Sequence, residues 1–251
     1  MKIHPPLAPA IATNAGKTVL QTTLFTATGN RKMSSDIALK NWLTLWQEIP
    51  DLEFDKGNNA NFMIQRFLSL GIERNGEILF PLCGKAKSMV GLAEHGYRIA
   101  GIEISPVAIS RFFSENQLSF MLEVKNERPV YIADELPISV FCDDIFNSLP
   151  MRCQGLFDVA ALVAVLPEQR RRYVDTLKSM LVPGAKGIVA VVEYEGIAAC
   201  APFPVSVEEF HALFSESFEI SELGRYEAKV HPMHPLATRK MAGAVYAVEL
   251  K

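Results

Sequence analysis

Phe80-Pro81-Leu82-Cys83-Gly84-Lys85-Ala86 and, one short helix later, Gly101-Ile102-Glu103-Ile104-Ser105 are the stretches that decide how this chain folds. The apolar run Glu77 to Leu82 reads as a strand that stops at the glycine turn. Ala86 to His95 reads as a helix stopped by Gly96, and Tyr97 to Ile104 as the next strand. Pro106 then opens another helix, running to about Asn116. Strand, helix, strand and helix at this spacing predict right-handed βαβ units and a parallel sheet.

Outward from that core the pattern continues. On the N-terminal side, Asn61 to Leu70 reads as a helix ended by Gly71. Ile37 to Gln47 reads as an amphipathic helix capped by Ser35 or Asp36, with Leu39, Trp42, Leu43 and Trp46 on one face. On the C-terminal side, strands are expected at Ser139 to Cys142, Phe157 to Val165 and Gly187 to Glu193. A helix from Glu168 to Leu181, closed by Pro183-Gly184, joins the last two. After a helix at Val207 to Phe214 come strands at Phe218 to Leu223 and Ala242 to Leu250 with no helix between them, so they are expected to pair antiparallel at one edge. The predicted class is therefore α/β: a doubly wound, mainly parallel, Rossmann-like sheet with an antiparallel C-terminal hairpin. Such an ending is typical of class I methyltransferases and atypical of nicotinamide dehydrogenases.

Composition narrows the function classes. The chain has 251 residues, 49% of them apolar, and a formal charge of −3. That is ample for one buried core. Runs such as Val159 to Leu166 are far too short to span a bilayer, so no membrane association is expected. No basic stripe tracks a phosphate backbone, which argues against nucleic acid. Arg170 to Arg172 is read as a solvated helix face. Four cysteines (Cys83, Cys142, Cys153 and Cys200) lack C-x-x-C spacing, and His231 and His234 alternate with prolines, so no metal site is expected. Cysteine usage fits the cytoplasm. Residues 1–35 hold no acid and no helical period. They are expected to be a disordered arm, an organelle-targeting segment, or residues that precede the natural start near Met33, leaving 36–251 as the domain. The expected protein is a monomer acting on a small molecule.

In open parallel sheets, ligands bind at the carboxyl ends of the strands near the switch in strand order. Gly84 lets backbone approach a ligand there, although a lone glycine after a strand is also an ordinary turn. There is no G-x-G-x-x-G dinucleotide fingerprint. Glu103, nineteen positions on, can accept hydrogen bonds from both hydroxyls of an adenosine ribose; alternatively it caps the helix begun by Pro106. The next strand ends Cys142-Asp143-Asp144-Ile145-Phe146, where an acid can meet an adenine amino group and Ile145 and Phe146 can wall the ring. Adjacent strand residues face opposite ways, so Asp143 and Asp144 are not a catalytic dyad. Trp42 and Trp46 share a helix face and either pack the core or cover a cofactor. In the second case an aromatic face favours a sulfonium by about 0.5–2 kcal/mol.

Taken together these pieces resemble the thiopurine S-methyltransferase family over nearly all of Asp36 to Lys251. The match is carried by Phe80 to Ala86, Met89, Leu92-Ala93 and Gly101 to Ser105. It continues through the Trp42/Trp46 pair, Phe54, Phe112 to Leu118, Ile145-Phe146, Ala161 to Ala164, Pro167, Arg172-Tyr173, Glu193-Tyr194 and Pro202-Phe203. The resemblance implies S-adenosyl-L-methionine as cofactor, contacted by Trp42, Leu82, Glu103, Asp144 and Ile145; the reading of the residues themselves adds Trp46, Gly84 and Phe146 to the expected cofactor site. Phe54 would lie beside the acceptor, a soft nucleophile such as a thiopurine or other aromatic thiol, or a selenium or tellurium species. No catalytic side chain is assigned. Three departures stand out. The family's Asp-Arg pair before Ala-Leu-Val-Ala is missing where Phe157-Asp158 runs into Val159-Ala160-Ala161-Leu162, and the strand there is expected to shift register. Asp55 replaces a His, and Cys200-Ala201 replaces Gly-Pro. A catalytically weak or silent cofactor-binding paralogue is therefore the alternative to an active enzyme, and a nicotinamide oxidoreductase is disfavoured.

Overall fold

The computed structural model describes residues 35–49, 58–147, 150–196, 200–228 and 240–251. Two helices, α1 (Ser35–Glu48) and α2 (Asn58–Leu68), precede the first strand, β1 (Glu77–Pro81). Then follow α3 (Ser88–Glu94), β2 (Arg98–Glu103), α4 (Pro106–Glu115), β3 (Phe120–Lys125), β4 (Arg128–Ala133) and β5 (Ile138–Cys142). The second half runs β6 (Cys153–Val159), α5 (Arg170–Met180), β7 (Leu181–Glu193), α6 (Val207–Phe214), β8 (Phe218–Ala228) and β9 (Met241–Leu250).

These strands form one sheet in the order β3-β4-β5-β2-β1-β6-β7-β9-β8. The five strands from β5 to β7 run parallel and β8 pairs antiparallel with β9 at one edge, as the sequence predicted; β9 is the strand that joins this pair to β7. The apolar runs are continuous because both faces are covered. Ile78 and Phe80 face one core with Met63, Phe67 and Phe112, while Leu79 faces the other with Tyr173, Leu177 and Phe210. Ile188 and Val189 divide in the same way. Strand order reverses on either side of β1, which opens a crevice between the carboxyl ends of β1 and β6.

Three expectations are corrected. The fourth parallel strand runs from Cys153 to Val159, not from Phe157 to Val165. Ala160 turns into the left-handed region at φ 73°, and the Asp158 carboxylate accepts the amides of Ala161 and Leu162. Those bonds wind Leu162–Ala164 into a buried 3₁₀ turn, so the apolar run is core without being strand. The only irregularity in the β6–β7 register lies between Cys153 and Gly155, and pairing from Gly155 to Val159 is unbroken. The helix before β7 ends at Met180, and Pro183-Gly184 falls within the strand's range. Finally, Arg170 is buried rather than solvated. Its guanidinium donates to the carbonyls of Phe203 and Pro204 and pairs with Glu209 at 2.7 Å. Arg171 does lie outward, bonding the carbonyls of Ala212 and Leu213.

The β3–β4 hairpin was not foreseen. Asn126 and Glu127, at φ 51° and 64°, form its two-residue turn. Two left-handed residues in succession give the primed geometry whose twist matches a hairpin.

Candidate cofactor and acceptor site

β1 ends at the crevice, and its exit is strained. Leu82 sits at φ 45°, a left-handed value for a branched side chain, and Gly84 follows at φ 51°. The Cys83 amide donates to the Ile102 carbonyl and ties the loop to the end of β2. Around this loop lies a cavity of about 370 Å³. Trp42, Trp46, Leu82, Gly84, Glu103, Asp144, Ile145 and Phe146 all border it. The residues singled out from sequence thus converge from α1 and from the ends of β1, β2 and β5. Phe54 and Asp55 lie outside the described residues, as do residues 1–34 and both His231 and His234.

Glu103 is 4% exposed, and its two oxygens divide the work of the loop. Oε2 accepts the Gly84 amide at 2.9 Å and Oε1 accepts the Ser105 amide at 2.8 Å. Burial is the main reason its carboxyl is pushed up to about 7, with the backbone N–H bonds pulling the other way. A carboxylate offers about four lone-pair sites. The Gly84 and Ser105 amides do not exhaust that capacity, so the carboxylate can accept further donors. Capping of α4 is done instead by the Ser105 hydroxyl, which accepts the Ala108 amide.

Beyond β5 the two aspartates part company. Asp143 pairs with Arg128 and accepts from Asn147, outside the cavity wall. Asp144 accepts the Phe146 amide at 3.0 Å through Oδ1. The Arg172 guanidinium lies 4.4 Å from the centre of the Phe146 ring, also at the cavity wall. Of the tryptophans, Trp46 is 3% exposed and packs with Ile49 and Ala108 against Gly84, and it also borders the cavity. Lys85 reaches the same wall, its ammonium held by Glu115 at 2.7 Å.

The far wall comes from the segment after β6. Val159, Ala160, Ala164, Val165 and Leu166 present apolar surface to the cavity. Their turn is fixed by fully buried Asp158, which also accepts the Tyr173 hydroxyl at 2.8 Å. Burial pushes the Asp158 carboxyl up to about 6 and raises Tyr173 as well. Sequence reasoning missed this wall because it took Ala161 to Val165 for a strand. The signal was Asp158 itself, a lone acid in an apolar run followed three residues later by the amides it caps.

The thiopurine S-methyltransferase (TPMT) family model matches residues 37–251. This chain belongs to that family. Thiopurine S-methyltransferase from Xanthomonas axonopodis pv. citri is 32% identical over 188 residues, 73% of this chain and 85% of the relative. The enzyme of the same name from Pseudomonas fluorescens is 33% identical over 167 residues, 64% of this chain and 75% of its own. Solved structures with the same fold include the Burkholderia thailandensis 1,6-didemethyltoxoflavin-N1-methyltransferase (TM-score 0.58, 14% identity, 98% of this chain and 94% of that one). Magnesium protoporphyrin IX methyltransferase from Synechocystis has a TM-score of 0.56 at 11% identity, covering 96% and 100%. As a TPMT-family member with this fold, the protein is an S-adenosylmethionine-dependent methyltransferase, and its sheet is that of the class I enzymes. Among the described residues no helix is long and apolar enough to cross a membrane.

Proposed function

We propose that the protein methylates a small soft nucleophile, an aromatic or heterocyclic thiol such as a thiopurine or a selenium or tellurium species, in the cytosol. The observation that carries this reading is Glu103: a buried carboxylate, braced by the Gly84 and Ser105 amides, at the edge of a cavity with a largely apolar far wall.

S-adenosylmethionine, when bound, supplies a methyl carbon made electrophilic by its sulfonium. The chain's own residues hold and orient. Glu103 takes the ribose hydroxyls, Asp144 the adenine amino group, and Ile145 and Phe146 wall the ring. Leu82 and Gly84 shape the floor. Trp42 and Trp46 cover the loop and, with Val159, Ala164 and Val165, keep water from the reacting atoms. Such a dry, aligned site is most of what an in-line displacement at carbon requires. A thiol of low pKa is already partly ionised at neutral pH, so no general base is needed. Phe54 is placed beside the acceptor by resemblance to the family.

A second reading, a cofactor-binding paralogue with weak turnover, is favoured by one specific feature. Val159 stands at the cavity where the family's Asp-Arg segment would bring a cation. An anionic acceptor would then lack electrostatic stabilisation from that strand. Calorimetric titration with S-adenosylhomocysteine, run beside methyl transfer to an aromatic thiol on the same preparation, decides between them. Binding with turnover is expected. Binding without turnover supports the paralogue, and absence of binding overturns both.

A further inference from the structure

The exposed large apolar side chains among the described residues, Met121, Leu122 and Val124, are 44%, 48% and 72% exposed, and all lie on β3. β3 is one edge of the sheet. The other edge, β8, is protected in the usual ways: Glu219, Glu222, Arg225 and Glu227 are exposed along it, and its pairing breaks register between Glu222 and Gly224. β3 has no bulge against β4 and pairs in register from Phe120 to Lys125.

The hairpin register shows which main-chain groups of β3 face outward. Lys125 is opposite Arg128 across a two-residue turn, so that pair exchanges both hydrogen bonds. Alternation then points the N–H and C=O of Glu123 and Met121 toward β4, and those of Val124, Leu122 and Phe120 away from the sheet. Pro129, which has no N–H, sits opposite Val124 and agrees with this phase. The three outward-bonding residues are also the three apolar residues of one face. Phe120 already packs on Phe113 of α4 at 4.8 Å and on Tyr131 at 5.2 Å, so Leu122 and Val124 extend the core seam into solvent.

We propose that β3 pairs antiparallel with β3 of a second copy of this chain about a two-fold axis at Leu122, in place of the monomer expected from sequence. Leu122 then faces its own copy, and each Phe120 faces Val124 of the other copy. All three pairs exchange both main-chain bonds and form one apolar ladder. Neighbouring registers are worse. Centring on Met121 sets Val124 against Leu118, which lies before the strand begins at Phe120. Centring on Glu123 sets two carboxylates directly opposite each other. Centring on Val124 sets Leu122 against Asn126, whose left-handed φ of 51° ends the extended strand. The paired edge is short, so the dimer dissociates on dilution.

Sedimentation velocity on the full chain, from low to high micromolar concentration, reads the mass directly. The wild type is expected to move from one chain mass toward two. Leu122→Lys with Val124→Lys should stay at one. Leu122→Pro should do the same without disturbing the hairpin, because the lost N–H faces outward. Neither change touches the cavity, so S-adenosylhomocysteine affinity should be unchanged. Amide exchange at Phe120, Leu122 and Val124 should slow only at high concentration. A wild type that stays at one chain mass overturns the proposal, as does a dimer that survives both variants. Exchange that is slow at every concentration also overturns it, because another segment of the same chain would then cover the edge.

Discussion

The Gly84 amide donates to Glu103 Oε2 at 2.9 Å, joining the exit of β1 to the last residue of β2. This bond makes the loop and the ribose acceptor one unit. It also fixes how the site should respond to pH. In the proposed binding mode ribose hydroxyls donate to the ionised Glu103 carboxylate, and that carboxyl is pushed up to about 7 by burial. Affinity for S-adenosylhomocysteine is therefore expected to rise as pH goes from 6 to 8. Glu103→Gln should flatten that profile and weaken binding by roughly 10–100-fold, the worth of charge-assisted hydrogen bonds. Titration calorimetry across that pH range checks both.

The same carboxyl affects the empty protein in the opposite sense. Between about pH 4.5 and 7 the folded chain keeps a proton that the unfolded chain has released. Stability contributed by this group is thus lost as pH rises through that window. Urea denaturation of the Glu103→Gln apoprotein should lose this pH dependence, with a constant loss from the one backbone amide that the Gln NH2 cannot accept. A variant whose stability still falls from about pH 4.5 to 7 would show that another group is responsible.

Gly84 has no room for a side chain. A Cβ there would lie 2.8 Å from Trp46 Cζ2, and φ is 51°. Gly84→Ala is expected to cost about 1–3 kcal/mol in stability from strain and overpacking, and to lower cofactor affinity. Trimming Trp46 to Leu in that background should relieve the overpacking part and leave the backbone part. A double-mutant cycle on denaturation midpoints reads the coupling.

Asp158 and Tyr173 hold the far wall. Tyr173→Phe removes one of three donors to a buried carboxylate and is expected to cost about 1–3 kcal/mol. Because the turn it supports carries Ala164 and Val165, the KM for the acceptor should rise more than cofactor affinity falls. Equal losses in both would place the residue's role in the whole fold rather than in the acceptor wall. Steady-state kinetics and urea denaturation on one preparation separate the two.

Val159→Arg tests what the departure from the family costs. If an absent cation limits transfer to thiolates, the variant should raise kcat/KM for an acidic aromatic thiol about tenfold or more, within the range of single electrostatic contacts. The gain should vanish for an uncharged acceptor. No change for either acceptor would show that the strand position does not limit turnover.

Most of the sheet was legible because its strands are apolar on both faces and separated by helices with clear stops, such as Gly96 after α3 and Pro106 before α4. Residues at strand ends were legible for the same reason: Glu103 and Asp144 are acids terminating apolar runs. Three features were hidden. A buried apolar run reads alike as strand or as turn, so only the bonds to Asp158 distinguish Ala161 to Val165. Three consecutive arginines point around much of a helix, and only the carbonyls of Phe203 and Pro204 show that Arg170 is the one turned inward. The β3–β4 hairpin turns on Asn-Glu rather than Asn-Gly, and Met121 interrupts the alternation that Leu122 to Lys125 keep, which leaves too short a period to read as a strand.

Leu82 and Ala160 hold left-handed backbone at the ends of β1 and β6, two neighbouring parallel strands. Both strands therefore veer away at the same level, which opens the crevice between them. Each such residue carries about 1–3 kcal/mol of strain that the surrounding bonds enforce. The ordering that a ligand would otherwise impose on these walls is done during folding. In the proposed binding mode the cofactor meets a preorganised seat, and little of its binding energy is diverted into shaping the crevice.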